Sequence, residues 1–228
     1  MHAVVTIETP SLGDRSYLIH DGAVAVVVDP QRDIGRVLAV AESRHVRITH
    51  VLETHIHNDY VTGGLALARH AGAAYVVAAA EEVGFERLGV GDRDLLSAGS
   101  LTVTAVHTPG HTPGHMSFVL GEAGQDPFAV FTGGSLLYGA VGRTDLIGPG
   151  LTEQLTRAQY RSVRRLAAEL PPEVAVYPTH GFGSFCSATP ITGTASTIGH
   201  ERLANIALRS DEDTFVAELL AEIGRAHV

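Results

Sequence analysis

The sequence predicts an α/β (α+β) chain in which two β-sheets lie face to face with helices outside them, a four-layer αββα sandwich. Three observations lead there. Short branched apolar runs bounded by turn formers read as covered strands, helix-period segments alternate with them, and the strand and helix order of the first half recurs in the second without its sequence.

The elements follow in order. Ala23 to Val28, ended by Asp29-Pro30, reads as a buried strand, and Tyr17-Leu18-Ile19 before Asp21-Gly22 makes a hairpin with it. Ile34 to Arg44 is a helix presenting Val37, Leu38 and Ala41 inward, and Ile48 to Leu52 is the next strand. Val61 to Ala71 is helical and stops at Gly72, a left-handed cap. Strands follow near Leu101 to Val106, Met116 to Leu120 and Phe128 to Phe131, then a helix from about Thr152 to Leu170 that Pro171-Pro172 ends. A strand at Val174 to Tyr177 leads to Pro178-Thr179-His180-Gly181, and the chain after Leu203 is helical, with Phe215, Val216, Leu219 and Leu220 at amphipathic spacing. Residues 1–205 are read as one domain and 206–222 as a C-terminal helix. Residues 223–228, Ile223-Gly224-Arg225-Ala226-His227-Val228, are either a natural terminus or, as we favour, a non-native tail on the front part of a longer protein.

Composition removes several function classes. A chain of 228 residues that is 45% hydrophobic buries a sizeable core. The net charge of −9 and pI near 5.8 argue against nucleic acid and membrane as partners, and the one cationic run, Arg161 to Arg165, reads as a solvated helix face. All sixteen basic residues are arginine, which excludes Schiff-base chemistry and the phosphate lysine of a Walker motif. The single cysteine, Cys186, forms no internal disulfide, and with neither a leader nor a long apolar run the expected location is cytoplasmic.

The chemistry concentrates in two segments: Thr54-His55-Ile56-His57-Asn58-Asp59 at a strand end, and Thr108-Pro109-Gly110-His111-Thr112 some fifty residues on. Imidazoles one residue apart where the chain turns can point at a common cation, and a third on a distant Pro-Gly turn closes one face of it. His55, His57 and His111 are therefore the expected ligands, a set that suits zinc or ferrous iron with a face open to substrate. Asp59 and His180 either take a second metal or orient a ligating imidazole, the outer role being preferred for Asp59. His107 and His115 are expected to be bystanders.

These motifs resemble those of the metallo-β-lactamase fold superfamily: His-x-His-x-Asp-His, a later Pro-Gly-His, a bridging Asp after a strand, and a final His. The resemblance runs from about Tyr17 to His180 and implies that superfamily's αββα sandwich. Within it, the chain looks most like persulfide dioxygenases fused to rhodanese domains. The matching segments are Glu53-Thr54-His55-Ile56-His57, His107 to Pro113, Gly142-Arg143-Thr144-Asp145-Leu146, His180-Gly181-Phe182-Gly183-Ser184-Phe185-Cys186, and Ser196 to Asn205.

The resemblance implies one ferrous iron, Fe(II), with Zn(II) as the alternative. Its ligands in the resembled enzymes carry over to His55 and His111 and fail at the third, because Phe131-Thr132-Gly133-Gly134-Ser135 has Gly134 where a carboxylate is expected. Tyr60 likewise replaces a histidine of the second metal position. Three outcomes are open: His57 completes a three-histidine site, which we favour; Asp59 or Asp145 reaches the ion; or metal binding is lost. The resemblance makes Asp59, Asp145, Arg143 and Cys186 the catalytic candidates. Asp145 pairs with Arg143 or positions substrate, and Cys186 is a small buried apolar group or a thiol that exchanges sulfur with substrate.

The leading expectation is oxidation of a low-molecular-weight thiol persulfide to sulfite and thiol. A zinc hydrolase of thioesters or esters, glyoxalase II-like, is second, and a metal-poor scaffold in a rhodanese fusion third. The implied partners are the small-molecule thiol persulfide and a rhodanese domain in cis or in trans, with homo-oligomer formation left open.

Overall fold

The computed structural model describes residues 2–183, 186–187 and 193–226. The first sheet takes β1 (Ala3–Thr9), β2 (Asp14–His20), β3 (Val24–Val28), β4 (Arg47–Leu52), β5 (Ala74–Ala78) and β6 (Leu88–Val90) in chain order. β1, β2 and β3 pair antiparallel, and the expected hairpin sets Tyr17 against Val28. From β3 to β6 the pairing is parallel. Two of these parallel steps are made by helices α1 (Gly35–Arg44) and α2 (Gly64–Ala71) on the outer face.

The second sheet comprises β7 (Leu95–Ala98), β8 (Leu101–His107), β9 (Met116–Glu122), β10 (Ala129–Gly133), β11 (Ala175–Pro178) and β12 (Ser196–Thr197), again in order across the sheet. Only β10 and β11 pair parallel, and the long helix α3 (Thr152–Glu169) connects them. Helices α4 (Ile198–Ala204), α5 (Ile206–Arg209) and α6 (Glu212–Ala226) complete the outer layer.

Strand alternation divides the side chains among three packed layers. Tyr17, Ile19, Val26 and Val28 point inward and meet Val103, Phe118, Leu120 and Phe131 between the sheets. Their neighbours Leu18, Ala25 and Val27 face outward to Val37, Ala41 and Leu67 of α1 and α2. On the other side, Val119, Val130 and Val176 meet Tyr160, Val163 and Leu166 of α3 and Phe215, Leu219 and Ile223 of α6. The four layers are those the sequence predicts.

Several boundaries differ. Helix α2 begins at Gly64 rather than Val61, because Thr62 bridges to Gln31 and its hydroxyl accepts from Gly64 N–H at 2.9 Å, holding the preceding residues extended. The helical stretch after Leu203 is broken twice: the Asn205 side chain accepts from Ala207 N–H and Asp211 Oδ1 from Thr214 N–H, each starting a new helix. Gly72 is the left-handed cap, at φ 63°. Leu170 is extended, as a residue before proline must be. Strands β1, β5, β6, β7 and β12 lie outside the expected set.

The arginine run tacks α3 to its neighbours: Arg161 to Glu212, Arg164 to the Ser210 carbonyl, and Arg165 to Asp92. Among the described residues no helix is long and apolar enough to cross a membrane.

Candidate metal centre

Loops leaving β3, β4, β8, β10 and β11 converge at one edge of the sandwich, and one buried carboxylate ties three of them together. Asp29 follows β3 in a left-handed conformation, φ 49°. It accepts from the backbone N–H and hydroxyl of Thr54 at 2.7 and 2.6 Å, and from the Thr179 hydroxyl at 2.5 Å. The residues just before His55 and His180 are thereby fixed relative to each other. In the sequence Asp29-Pro30 marks only the end of a strand, and the one sign of a further role is a charged residue closing a fully apolar run.

Around this frame sit five buried imidazole rings, those of His55, His57, His111, His115 and His180. His55 and His111, from loops far apart in sequence, have ring centroids 4.7 Å apart, and His55 and His180 are 5.2 Å apart. Partners fix the tautomers. The Thr54 hydroxyl gives its proton to Asp29, so it accepts from His55 Nδ1 at 2.9 Å. His180 Nδ1 donates to Asp14 Oδ1 at 2.9 Å. His111 Nδ1 donates to the Arg143 carbonyl at 2.7 Å. In each neutral ring the lone pair is then on Nε2.

Two of these lone pairs face each other, and the third is left open. His55 Nε2 and His180 Nε2 are 3.2 Å apart, and His111 Nε2 is buried with no hydrogen-bond partner. Two imidazoles on one tetrahedral ion at about 2.0–2.1 Å have their nitrogens about 3.3 Å apart, so this spacing fits a shared cation and is repulsive without one. Burial pushes all three rings below the ordinary imidazole range, His111 to about 3 and His180 to about 4, which keeps them neutral and ready to ligate. The donor atoms of His55, His57 and His180 lie within 4.8 Å of one another, as do those of His111, His180 and Cys186.

His57 stands in a different field. Burial opposes its charge, but Asp29 Oδ1 at 3.3 Å and Glu53 Oε2 at 3.4 Å outweigh burial and raise it to about 10, while Asp29 is held near 2. Tyr60 bonds His57 Nε2 at 3.0 Å, so the residue standing at the second metal position holds a neighbouring ring instead. With Nε2 turned to the carboxylates, Nδ1 is the nitrogen a metal would take only by displacing its proton, in the arrangement of a carboxylate–histidine–metal triad.

The hydrogen bond from His180 Nδ1 goes to Asp14, with Asp59 next to it. Asp59 Oδ2 is 3.4 Å from His180 Nδ1, and neither of its buried oxygens makes a hydrogen bond. Asp145 grips Arg143 in two bonds, Nε to Oδ1 at 3.0 Å and Nη2 to Oδ2 at 2.7 Å, the pairing the sequence offered for it. His107, expected to be a bystander, bonds the Pro113 carbonyl and lines the cavity beside His55 and His57. His115 does more: fully buried, it stacks on His55 and its Nε2 accepts from Gly134 N–H at 3.1 Å. Cys186 is buried, and its carbonyl accepts from Arg143 N–H at 2.9 Å. Ser184 and Phe185 of the segment leading to it, and the last two tail residues, His227 and Val228, lie outside the described residues.

Gly134 is occupied space. A Cβ built there would collide with Cδ2 of His111 and lie 2.6 Å from its Cγ and Nε2, so the ring fills the volume a carboxylate side chain would need.

A cavity of about 800 Å³ opens beside His55 and His57. Ile56, Val61 and Ile147 line it although each is well exposed, and Phe85 and Pro113 extend the apolar wall. Exposed apolar side chains gathered at one mouth mark a surface that a ligand covers.

Comparison with known proteins places this geometry. Over 182 residues the chain is 34% identical to a hydroxyacylglutathione hydrolase from Cereibacter sphaeroides, covering 77% of this chain and 66% of that protein. It therefore spans about two thirds of that relative's length. It is 30% identical over 207 residues to the human mitochondrial persulfide dioxygenase ETHE1, covering 90% of this chain and 72% of that one. The crystal structure of ETHE1 from Myxococcus xanthus superposes with a TM-score of 0.81 at 27% identity, covering 96% of this chain and 90% of that chain. Residues 14–180, from the carboxylate on His180 to His180 itself, match the model of the metallo-beta-lactamase superfamily, and the chain belongs to that superfamily of metal-binding proteins.

Proposed function

We propose that this chain is a ferrous persulfide dioxygenase that converts a low-molecular-weight thiol persulfide to sulfite and thiol. The observation that carries the reading is a donor set for one ion: imidazole lone pairs from separate loops converge, while Gly134 and Tyr60 stand where a bridging carboxylate and a second-site imidazole would be. His55, His111 and His180 would hold the ion, with His57 beside them. A ferrous ion supplies sites for sulfur and dioxygen and the electrons that activate oxygen. The overall change is RSSH + O₂ + H₂O → RSH + SO₃²⁻ + 2 H⁺.

The chain's own residues do the rest. Asp14 and Thr54 fix the ring orientation of His180 and His55, and Asp29 holds both loops in register. Ile56, Val61, Phe85 and Ile147 receive the thiol carrier and strip water from it. The Arg143–Asp145 pair locks the segment whose carbonyl holds His111. Near-complete coverage of the Myxococcus ETHE1 chain supports the same reading. A cytoplasmic location and a rhodanese partner, in cis or in trans, belong to this proposal.

A hydrolytic reading has one observation of its own. Asp14, Asp59 and His180 place donors within 4.8 Å of one another, and a zinc ion there would favour thioester hydrolysis, the chemistry named by the Cereibacter relative. Anaerobic loading with ferrous iron, then oxygen uptake with glutathione persulfide and sulfite analysis, separates the two. Uptake with sulfite release is expected. Full iron occupancy with no uptake, alongside thioester cleavage by the zinc form, would overturn the dioxygenase reading.

A further inference from the structure

The carboxylate that the resemblance leads one to expect is missing at Gly134, and a negative donor in its place would offset part of a dication's charge in a buried site. The second donor group contains one. Cys186, the chain's single thiol, lies with His111 and His180 so that the three donor atoms fall within 4.8 Å of one another, and all three residues are buried. His111 Nε2 has no hydrogen-bond partner there.

The backbone holds the thiol and the imidazole in one rigid frame. Arg143 donates its N–H to the Cys186 carbonyl at 2.9 Å, while its own carbonyl takes the His111 Nδ1 proton at 2.7 Å. Beside it, Gly142 bridges to Ser187. A Cβ at Gly142 would press on the Gly134 carbonyl and lie 2.9 Å from His111 Nδ1, so glycines on both sides let the ring sit where it does. Position 134 has no side chain, the His111 ring fills that volume, and the Cys186 donor lies within 4.8 Å of the His111 donor.

We propose that Cys186 is a metal ligand, supplying as a thiolate the negative donor that Gly134 cannot and sharing one ion with His111 and His180. The inference rests on the one-ion reading above. Binding exchanges the thiol proton for the metal: the S–H bond breaks, an S–metal bond forms, and the proton leaves to solvent with no change of oxidation state. Thiolate and imidazole together suit zinc as well as ferrous iron.

Anaerobic titration of the whole chain with cobalt(II) tests it spectroscopically. The expected result is a near-ultraviolet sulfur-to-cobalt charge-transfer band that saturates with the visible bands of a low-symmetry site. With one cysteine present, the wild-type spectrum alone assigns the band. Cys186→Ser should lose it and bind cobalt at least about a hundredfold more weakly, beyond what loss of an outer partner costs. Cys186→Asp should restore affinity without the band. Visible bands with no charge-transfer band would overturn the thiolate ligand and leave the imidazole site standing. No cobalt binding by the wild type would overturn both.

Discussion

Gly134→Ala is the sharpest perturbation of the centre, because the added atom meets a ring that cannot retreat. Gly134 is not among the positive-φ glycines, so alanine brings no backbone strain and the effect is steric. The new Cβ would lie 2.6 Å from Cγ and Nε2 of His111, and about 1 Å of movement is needed to reach ordinary contact. The ring is held on its far side by the Arg143 carbonyl at 2.7 Å, and the His111 backbone N–H by Gln159 Oε1 at 2.8 Å. Overpacking costs about 1–3 kcal/mol. Loosening one buried hydrogen bond costs about 1 kcal/mol more. The stiffer unfolded chain returns about 0.4–1 kcal/mol. The metal-free protein should therefore lose about 1–3 kcal/mol in urea denaturation, and a ring displaced by about 1 Å should weaken metal binding at least tenfold in chelator competition. A variant as stable as the wild type with unchanged affinity would refute the claim that His111 occupies the carboxylate's volume.

Other outcomes follow from the same contacts. Asp14→Asn removes the charge that orients His180 and should weaken metal binding by about 10- to 100-fold in chelator competition with little change in fold; unchanged affinity would leave Asp14 without that role. Asp145→Ala should destabilise the chain by about 3 kcal/mol in chemical denaturation, since the Arg143 side chain is 3% exposed and loses a two-bond partner; a smaller loss with impaired turnover would make Asp145 a substrate contact instead. The His57–Asp29 pair predicts a pH dependence for the metal-free protein. His57 is raised from 6.5 to about 10, so its contribution is complete below pH 6.5 and disappears as pH rises through 10. Asp29 is lowered from 3.8 to about 2, so its contribution is present above pH 3.8 and is lost as pH falls through 2. Denaturation midpoints should fall between pH 6.5 and 10, and His57→Gln should flatten that slope; an unaltered slope would show that His57 does not titrate there.

The parts of the centre legible in the sequence are those that act through their own chemistry. His55, His57, His111 and His180 announce themselves by residue type, spacing and placement at strand ends, and Arg143 and Asp145 are close enough in sequence for their pairing to be read directly. Asp14, Asp29 and His115 were not legible as parts of the site. Each works through a partner brought close only by the sandwich: Asp14 meets a ring 166 residues away and Asp29 a hydroxyl 150 away. The fold divides similarly. Val24–Val28 and Leu101–His107 carry the branched runs or alternation of covered strands, whereas Leu88–Val90 and Ser196–Thr197 are too short to show a period and exist because a neighbouring strand offers an edge. Gly134 was visible as a departure, but only packing reveals that His111 fills the space.

The account stands on one ion held by imidazoles from separate loops, without a bridging carboxylate. Anaerobic equilibrium titration of the chelator-treated protein with ferrous iron, read as bound metal per chain, tests this most directly. Saturation at one ion per chain, abolished in His55→Ala and in His111→Ala, is the expected result. Saturation at two ions, or no binding with the fold intact, would contradict it.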